Sequence, residues 1–205
     1  MARTDLTDES CLIDAGPWRL AFAWAGDRWR HEISVGGRAL AVSEEWDVDR
    51  GDPARVVSPA YQQLGHRSHG PEEQALLVGQ WGRHHFSAVF AVTESAGRVD
   101  LLVDVAVRTR APLDAFAATY RVLLQSGDLV SAAPESTAWA VETPELAGTL
   151  GFQGVETPES ITRLTLAEAG RLETSAQALA TLTADASTHR LVYRWFWIAS
   201  PKPSA

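Results

Sequence analysis

The residues best able to do chemistry are gathered in two short stretches. His66 and His69 stand three apart, and residues 79–90 read GQWGRHHFSAVF, setting Trp81, Arg83, His84 and His85 close together. An imidazole exchanges protons near neutral pH or ligates a metal. A guanidinium grips carboxylates with two parallel hydrogen bonds, and an indole offers a flat apolar surface with one polar handle. Together these types suit recognition of a polar ring compound or acid–base work on one.

The spacings narrow the chemistry. Two imidazoles three apart, with no carboxylate in a fixed relation and one cysteine (Cys11) in the whole chain, do not make a metal set. Asp100 and Asp104 lie four apart on one strand, hence ~13 Å between Cα atoms, beyond either glycosidase carboxylate geometry. They read as surface carboxylates. The sequence contains no glycine-rich phosphate loop, nucleophile elbow or zinc-protease motif. No cofactor and no metal are therefore expected. The candidate ligand-binding residues are Trp81, Arg83, His85, Arg108 and His66, with no catalytic set assigned.

The elements that must hold these residues are strands. WRLAFAW (18–24) and WRHEISV (29–35) alternate strictly around Gly26-Asp27, which reads as a two-residue hairpin turn. Parity then sets Trp24 against Trp29, Phe22 against His31 and Leu20 against Ile33. A second hairpin turns at Ala96-Gly97 and sets Val92 against Leu101, Phe90 against Val103 and His85 against Arg108. In that register His84 faces the core with Phe86, whereas His85 faces away.

Elsewhere, Ala54–Val57 and Gln74–Val78 read as short strands, with His66, His69 and Gly70 in a polar loop between them. Pro112–Gly127 carries a helical stripe and reads as a short helix or loop leading into a strand-like TYRVLL. Leu166–Leu182 reads either as an alanine-rich helix or as a hairpin turning at Ala169-Gly170. The two VETPE segments read as exposed turns. HRLVYRWFWI (189–198) is apolar on both faces, as a central strand is. Its Tyr193, Trp195 and Trp197 form either core or a platform for sugar rings.

These elements predict one all-β domain over residues 1–205, an antiparallel β-sandwich of hairpin-connected strands with at most one or two short helices. A curved barrel is the second choice. Residues 1–15 and 200–205 are expected to fray, and Leu20, Phe22, Ile33, Phe90, Leu101, Val103, Val105 and Trp195 to form the core. Many short aromatic-rich strands resemble the architecture of carbohydrate-binding and carbohydrate-processing β-sandwiches.

A formal charge of −8 with no basic run excludes a nucleic-acid footprint and disfavours anionic membranes. Asp5, Asp8, Glu9 and Asp14 interrupt the N-terminus, which has no apolar stretch of the kind a secretory leader carries. A cytoplasmic location is the expectation. The composition leaves homo-oligomers open.

Three functional readings follow. The first is a non-catalytic module for a saccharide or similar polar ring compound. The second is a sugar-active epimerase or lyase using His66, His69 or His85 with Asp100 or Glu32. The third is a barrel enclosing an apolar ligand or haem near His31 or His84.

Overall fold

A computed structural model describes residues 2–44, 56–124, 128–133, 135–142, 146–158, 160–168 and 174–200. Among these there is no α-helix, and the strands form two packed sheets. The first sheet comprises β1 (Arg3–Leu6), β2 (Ser10–Ala15), β3 (Trp18–Trp24), β4 (Trp29–Val35), β5 (Arg38–Glu44), β6 (Val56–Val57), β11 (Ala115–Val122), β15 (Thr162–Glu168) and β16 (Thr174–Ala180). Its order is β1-β2-β3-β4-β5-β11-β16-β15, with β6 pairing parallel to β11. The second comprises β7 (Gln63–His69), β8 (Glu72–Trp81), β9 (His84–Ser95), β10 (Arg98–Thr109), β12 (Leu129–Ala133), β13 (Ser136–Glu142), β14 (Ala147–Gly154) and β17 (Thr188–Ala199). It runs β12-β13-β14-β17-β10-β9-β8-β7, antiparallel throughout. This is a β-sandwich, and neither sheet closes into a barrel, so the enclosed-ligand reading loses its architecture.

The two hairpins read from parity form in the expected registers. Trp24 pairs with Trp29, Phe22 with His31 and Leu20 with Ile33. Val92 pairs with Leu101, Phe90 with Val103 and His85 with Arg108. Gly26 and Gly97 supply the turns with φ of 91° and 73°, a region that L side chains enter at a cost. All eight predicted core residues are at most 1% exposed. Alternation does this: once one residue of a strand faces the opposite sheet, every second one follows.

Two expectations give way, and two open readings resolve to strands. The N-terminal stretch does not fray, because Cys11, Ile13 and Ala15 alternate into the core and β2 pairs with β3. Burial, helped by Asp5, pushes the Cys11 thiol up to about 11. Pro112–Gly127 forms no helix among its described residues; five consecutive residues of β11, Phe116–Tyr120, are buried, and a run apolar on both faces mimics either periodicity. Of the two readings of Leu166–Leu182 the hairpin holds: β15 and β16 pair antiparallel over seven residues, although the turn between them lies outside the described residues. Finally, His66 and His69 lie on β7, not in a loop. Three apart on a strand, they face opposite ways and cannot chelate together. The first VETPE segment lies partly outside the described residues, whereas in the second Thr157 and Ser160 exchange backbone hydrogen bonds across a tight turn. Residues 201–205 also lie outside them.

β17 is central in its sheet, between β14 and β10, and Tyr193, Trp195 and Trp197 are at most 1% exposed. They are core. Trp195 stacks on Phe152 at 4.3 Å and on Trp139 at 6.1 Å, with Tyr120 of the facing sheet edge-on at 5.1 Å.

Candidate functional site

Among the described residues, polar side chains gather in a cleft between the sheets, in a clasp at the β1 edge and on the outer face of the second sheet.

The cleft is the most buried. His31 of β4 and Tyr120 of β11 point inward from the first sheet, and Tyr193 of β17 points inward from the second. His31 Nε2 is hydrogen-bonded to the Tyr120 hydroxyl at 2.8 Å, which is hydrogen-bonded to the Tyr193 hydroxyl at 2.8 Å. Tyr61 also lines the cleft, so all three tyrosines of the chain meet there. The cleft holds about 40 Å³, room for a few atoms, and opens past Arg28, Arg30 and Glu44. Burial pushes the His31 imidazole down to about 3, so it is neutral, and pushes the three phenols up.

Tyr61 reaches this place because its segment bridges the sheets. Its carbonyl accepts from the Trp29 amide at 2.8 Å, and the Gln62 amide donates to the Val78 carbonyl at 3.0 Å. Gly79 permits the approach, since a Cβ there would lie 1.9 Å from the Ala60 carbonyl oxygen.

At the β1 edge, Glu73 accepts from Thr4 Oγ1 at 2.7 Å and Ser68 Oγ at 3.0 Å and is paired with His66 Nε2 at 2.5 Å. Burial alone would raise the Glu73 carboxyl, but these hydrogen bonds outweigh it and hold it below its ordinary range. Thr4 belongs to one sheet and Glu73 to the other, so the cluster fastens one edge of the sandwich. His66 thus faces the core side of β7, away from His85.

The outer face of the second sheet carries the rest. Gln80, His85, Arg108 and Thr188 form one cross-strand row on β8, β9, β10 and β17. The next row is Gln63, Val78, Ser87, Ala106 and Arg190. A shallow groove of about 730 Å³ follows these strands over Leu76, Val78, Val89 and Ala106, with Asp104 and Arg190 in its wall. At Val78 it meets a second groove of about 470 Å³ that includes Gln63, Gln80 and His85. Arg190 binds Asp104 through two hydrogen bonds, at 2.8 and 2.5 Å, and Arg98 binds Asp100 through two at 2.6 Å.

Of the five predicted contacts, the structure brings His85 and Arg108 together on this face, both exposed. Trp81 and Arg83 lie at the tip of the β8–β9 hairpin, where Gly82-Arg83 is the turn, and Trp81, paired with the buried His84, stands on the opposite side of the sheet from His85. Trp81 is 47% exposed and takes the Arg28 guanidinium over its ring at 5.1 Å. His66 does not join them. Nor do the acid–base pairs foreseen from the sequence: Asp100 lies eight residues from Arg108 along β10, about 26 Å, and Glu32 lies on the outer face of the other sheet.

Sequence reasoning missed the tyrosine cleft and the arginines of β7 and β17. For the arginines one signal was present, the spacing of Arg190 and Arg194 on one face of a strand whose other face is aromatic.

No protein-family model matches the chain, and no curated protein does. Among solved structures it is similar to a mutant of the heparan sulfate lyase HepC from Pedobacter heparinus, with a TM-score of 0.55 at 10% identity. The match covers 98% of this chain and 35% of that one, so this chain spans about a third of the lyase's length. At that identity the likeness concerns the fold.

Proposed function

We propose that the protein is a saccharide-binding β-sandwich that performs no chemistry on its ligand, with the outer groove of the second sheet as its contact surface. The observation that carries this reading is the groove itself. Its floor is apolar, able to take the C–H faces of sugar rings, and its walls hold hydrogen-bonding groups in fixed positions, among them His85 and Arg190, with Arg108 beside His85 at its end. Its carboxylate, Asp104, is held by Arg190 and is not poised as a base. The fold likeness to part of a lyase named for heparan sulfate supports the same ligand class. Calorimetric titration against a glycan panel tests it: one or more glycans bind, and Arg108→Ala weakens that binding at least tenfold while the far-ultraviolet circular dichroism is unchanged. Failure of every glycan, or indifference to Arg108→Ala, overturns it.

A second reading, an enzyme acting on sugars, is favoured by one observation: a neutral imidazole hydrogen-bonded to a phenol inside a cleft. A hydrogen bond of this kind is a path along which a proton can pass. New reducing ends or unsaturated products from the same panel, lost in Tyr120→Phe with the fold retained, would decide for it.

A further inference from the structure

We propose that the outer groove is built for an anionic oligosaccharide lying across the strands, its acidic groups taken by Arg67 and Arg194 on one side of the groove and by Arg108 on the other. This rests on the saccharide reading above and adds the charge and direction of the ligand.

The chain carries a net charge of −8, yet this face departs from that balance. On the outward positions of β7, β8, β9, β10, β14 and β17 stand five arginines, Arg67, Arg98, Arg108, Arg190 and Arg194. Against them stand three carboxylates, Glu72, Asp100 and Asp104. Arg98 and Arg190 are neutralised by the two aspartates.

Two of the remaining three are held by amides instead. Arg194 donates from Nε and Nη2 to Gln153 Oε1 at 2.8 and 2.6 Å. Arg67 donates from Nε and Nη2 to Gln74 Oε1 at 3.1 and 2.7 Å, and Gln74 passes its own amide hydrogen to Glu72. An amide oxygen fixes the direction of a guanidinium without cancelling its charge. A planar cation fixed in this way is organised in advance for a carboxylate or sulfate.

The placement fits an extended ligand. Arg67, Gln74, Ala91, Leu102, Arg194 and Gln153 are consecutive partners in one cross-strand row. Four strand spacings separate Arg67 from Arg194, about 19 Å between Cα atoms. A monosaccharide cannot touch both, whereas an oligosaccharide can. The row containing Arg108 lies six residues away along β10, about 20 Å, and the apolar groove runs between the two rows. A single-stranded nucleic acid would need exposed aromatic rings for its bases. Among the described residues the one phenylalanine, tyrosine or tryptophan on this face, Phe196, lies under Arg98 with the guanidinium 4.9 Å from its ring centre.

The test is titration of the whole chain with oligogalacturonate, its methyl ester (the same backbone without charge), a heparan sulfate oligosaccharide and oligo(dT). An acidic saccharide is expected to bind at least tenfold more tightly than the neutral ester, and more weakly as salt rises. The double substitution Arg67→Gln/Arg194→Gln should remove that advantage with melting unchanged. Preference for heparan sulfate over oligogalacturonate would identify sulfate as the favoured oxyanion. Equal binding of the ester overturns the charge inference and leaves the saccharide reading standing, whereas failure of all saccharides overturns both. Oligo(dT) binding as tight as the acidic saccharide, or indifference to the double substitution, overturns the proposed site.

Discussion

The cleft and the outer groove solve the same problem in opposite ways. Both place polar side chains from several strands within reach of one another. In the cleft the groups are neutral and spend their hydrogen bonds on each other, so that His31, Tyr120 and Tyr193 close a chain from sheet to sheet. On the outer face the groups are ionic, and Arg194 and Arg67 are steadied by amides that leave their charge intact. Burial makes the difference. A charge between the sheets would carry a desolvation cost, while water on the outer face makes a retained charge cheap. The cleft therefore contributes chiefly to stability, and the outer face is the one proposed for recognition.

Tyr120→Ala should break this contrast most severely. It removes a fully buried ring that touches Trp195, Phe152, Tyr193 and His31, and denaturant unfolding should show a loss of about 3–5 kcal/mol. Tyr120→Phe keeps the ring but deprives His31 and Tyr193 of their partner, for about 1–3 kcal/mol.

The pH dependence comes next. His31 titrates near 6.5 when unfolded and near 3 when folded. The unfolded chain therefore binds the extra proton first, so the stability is fully present above about pH 6.5 and is lost as pH falls toward 3. The slope should approach ~1.4 kcal/mol per pH unit. Glu73, also held low, adds loss only once the pH reaches the carboxylate range. A flat unfolding free energy between pH 6.5 and 5 would show that the imidazole is not desolvated as its surroundings imply.

Smaller effects belong to the surface. Trp81→Ala should cost about 0.5–1 kcal/mol, the worth of an exposed cation–π contact with Arg28. A loss above 2 kcal/mol would make this ring a structural plug. Gln153→Ala should shift stability by no more than about 0.5 kcal/mol while weakening an anionic oligosaccharide several-fold, because Arg194 would lose its tether.

Legibility followed the distance between partners. The registers of β3–β4 and β9–β10 were readable because a glycine turn and strict alternation fix every pair within about 25 residues of chain. Parity sets His31 opposite Phe22, on an apolar face, but its partner Tyr120 is 89 residues away. No local pattern names that partner. β11 was ambiguous because a strand apolar on both faces erases its own periodicity, and Leu166–Leu182 because alanine's helical preference yields to pairing with a neighbour. Of the site, His85 opposite Arg108 follows from parity. The Arg194–Gln153 and Arg67–Gln74 tethers follow only from the assembled ladder.

β17 has a consequence for the order in which the sandwich is made. It lies between β10 and β14, bonded to each, and is the last described strand in the chain. During synthesis every other strand of its sheet emerges first, leaving the inner edges of β10 and β14 open, both lined with apolar side chains. Unpaired edges of this kind recruit other chains. The nascent protein should thus depend on chaperones until residues 188–199 leave the ribosome. A circular permutant that places β17 ahead of β7 should escape that dependence.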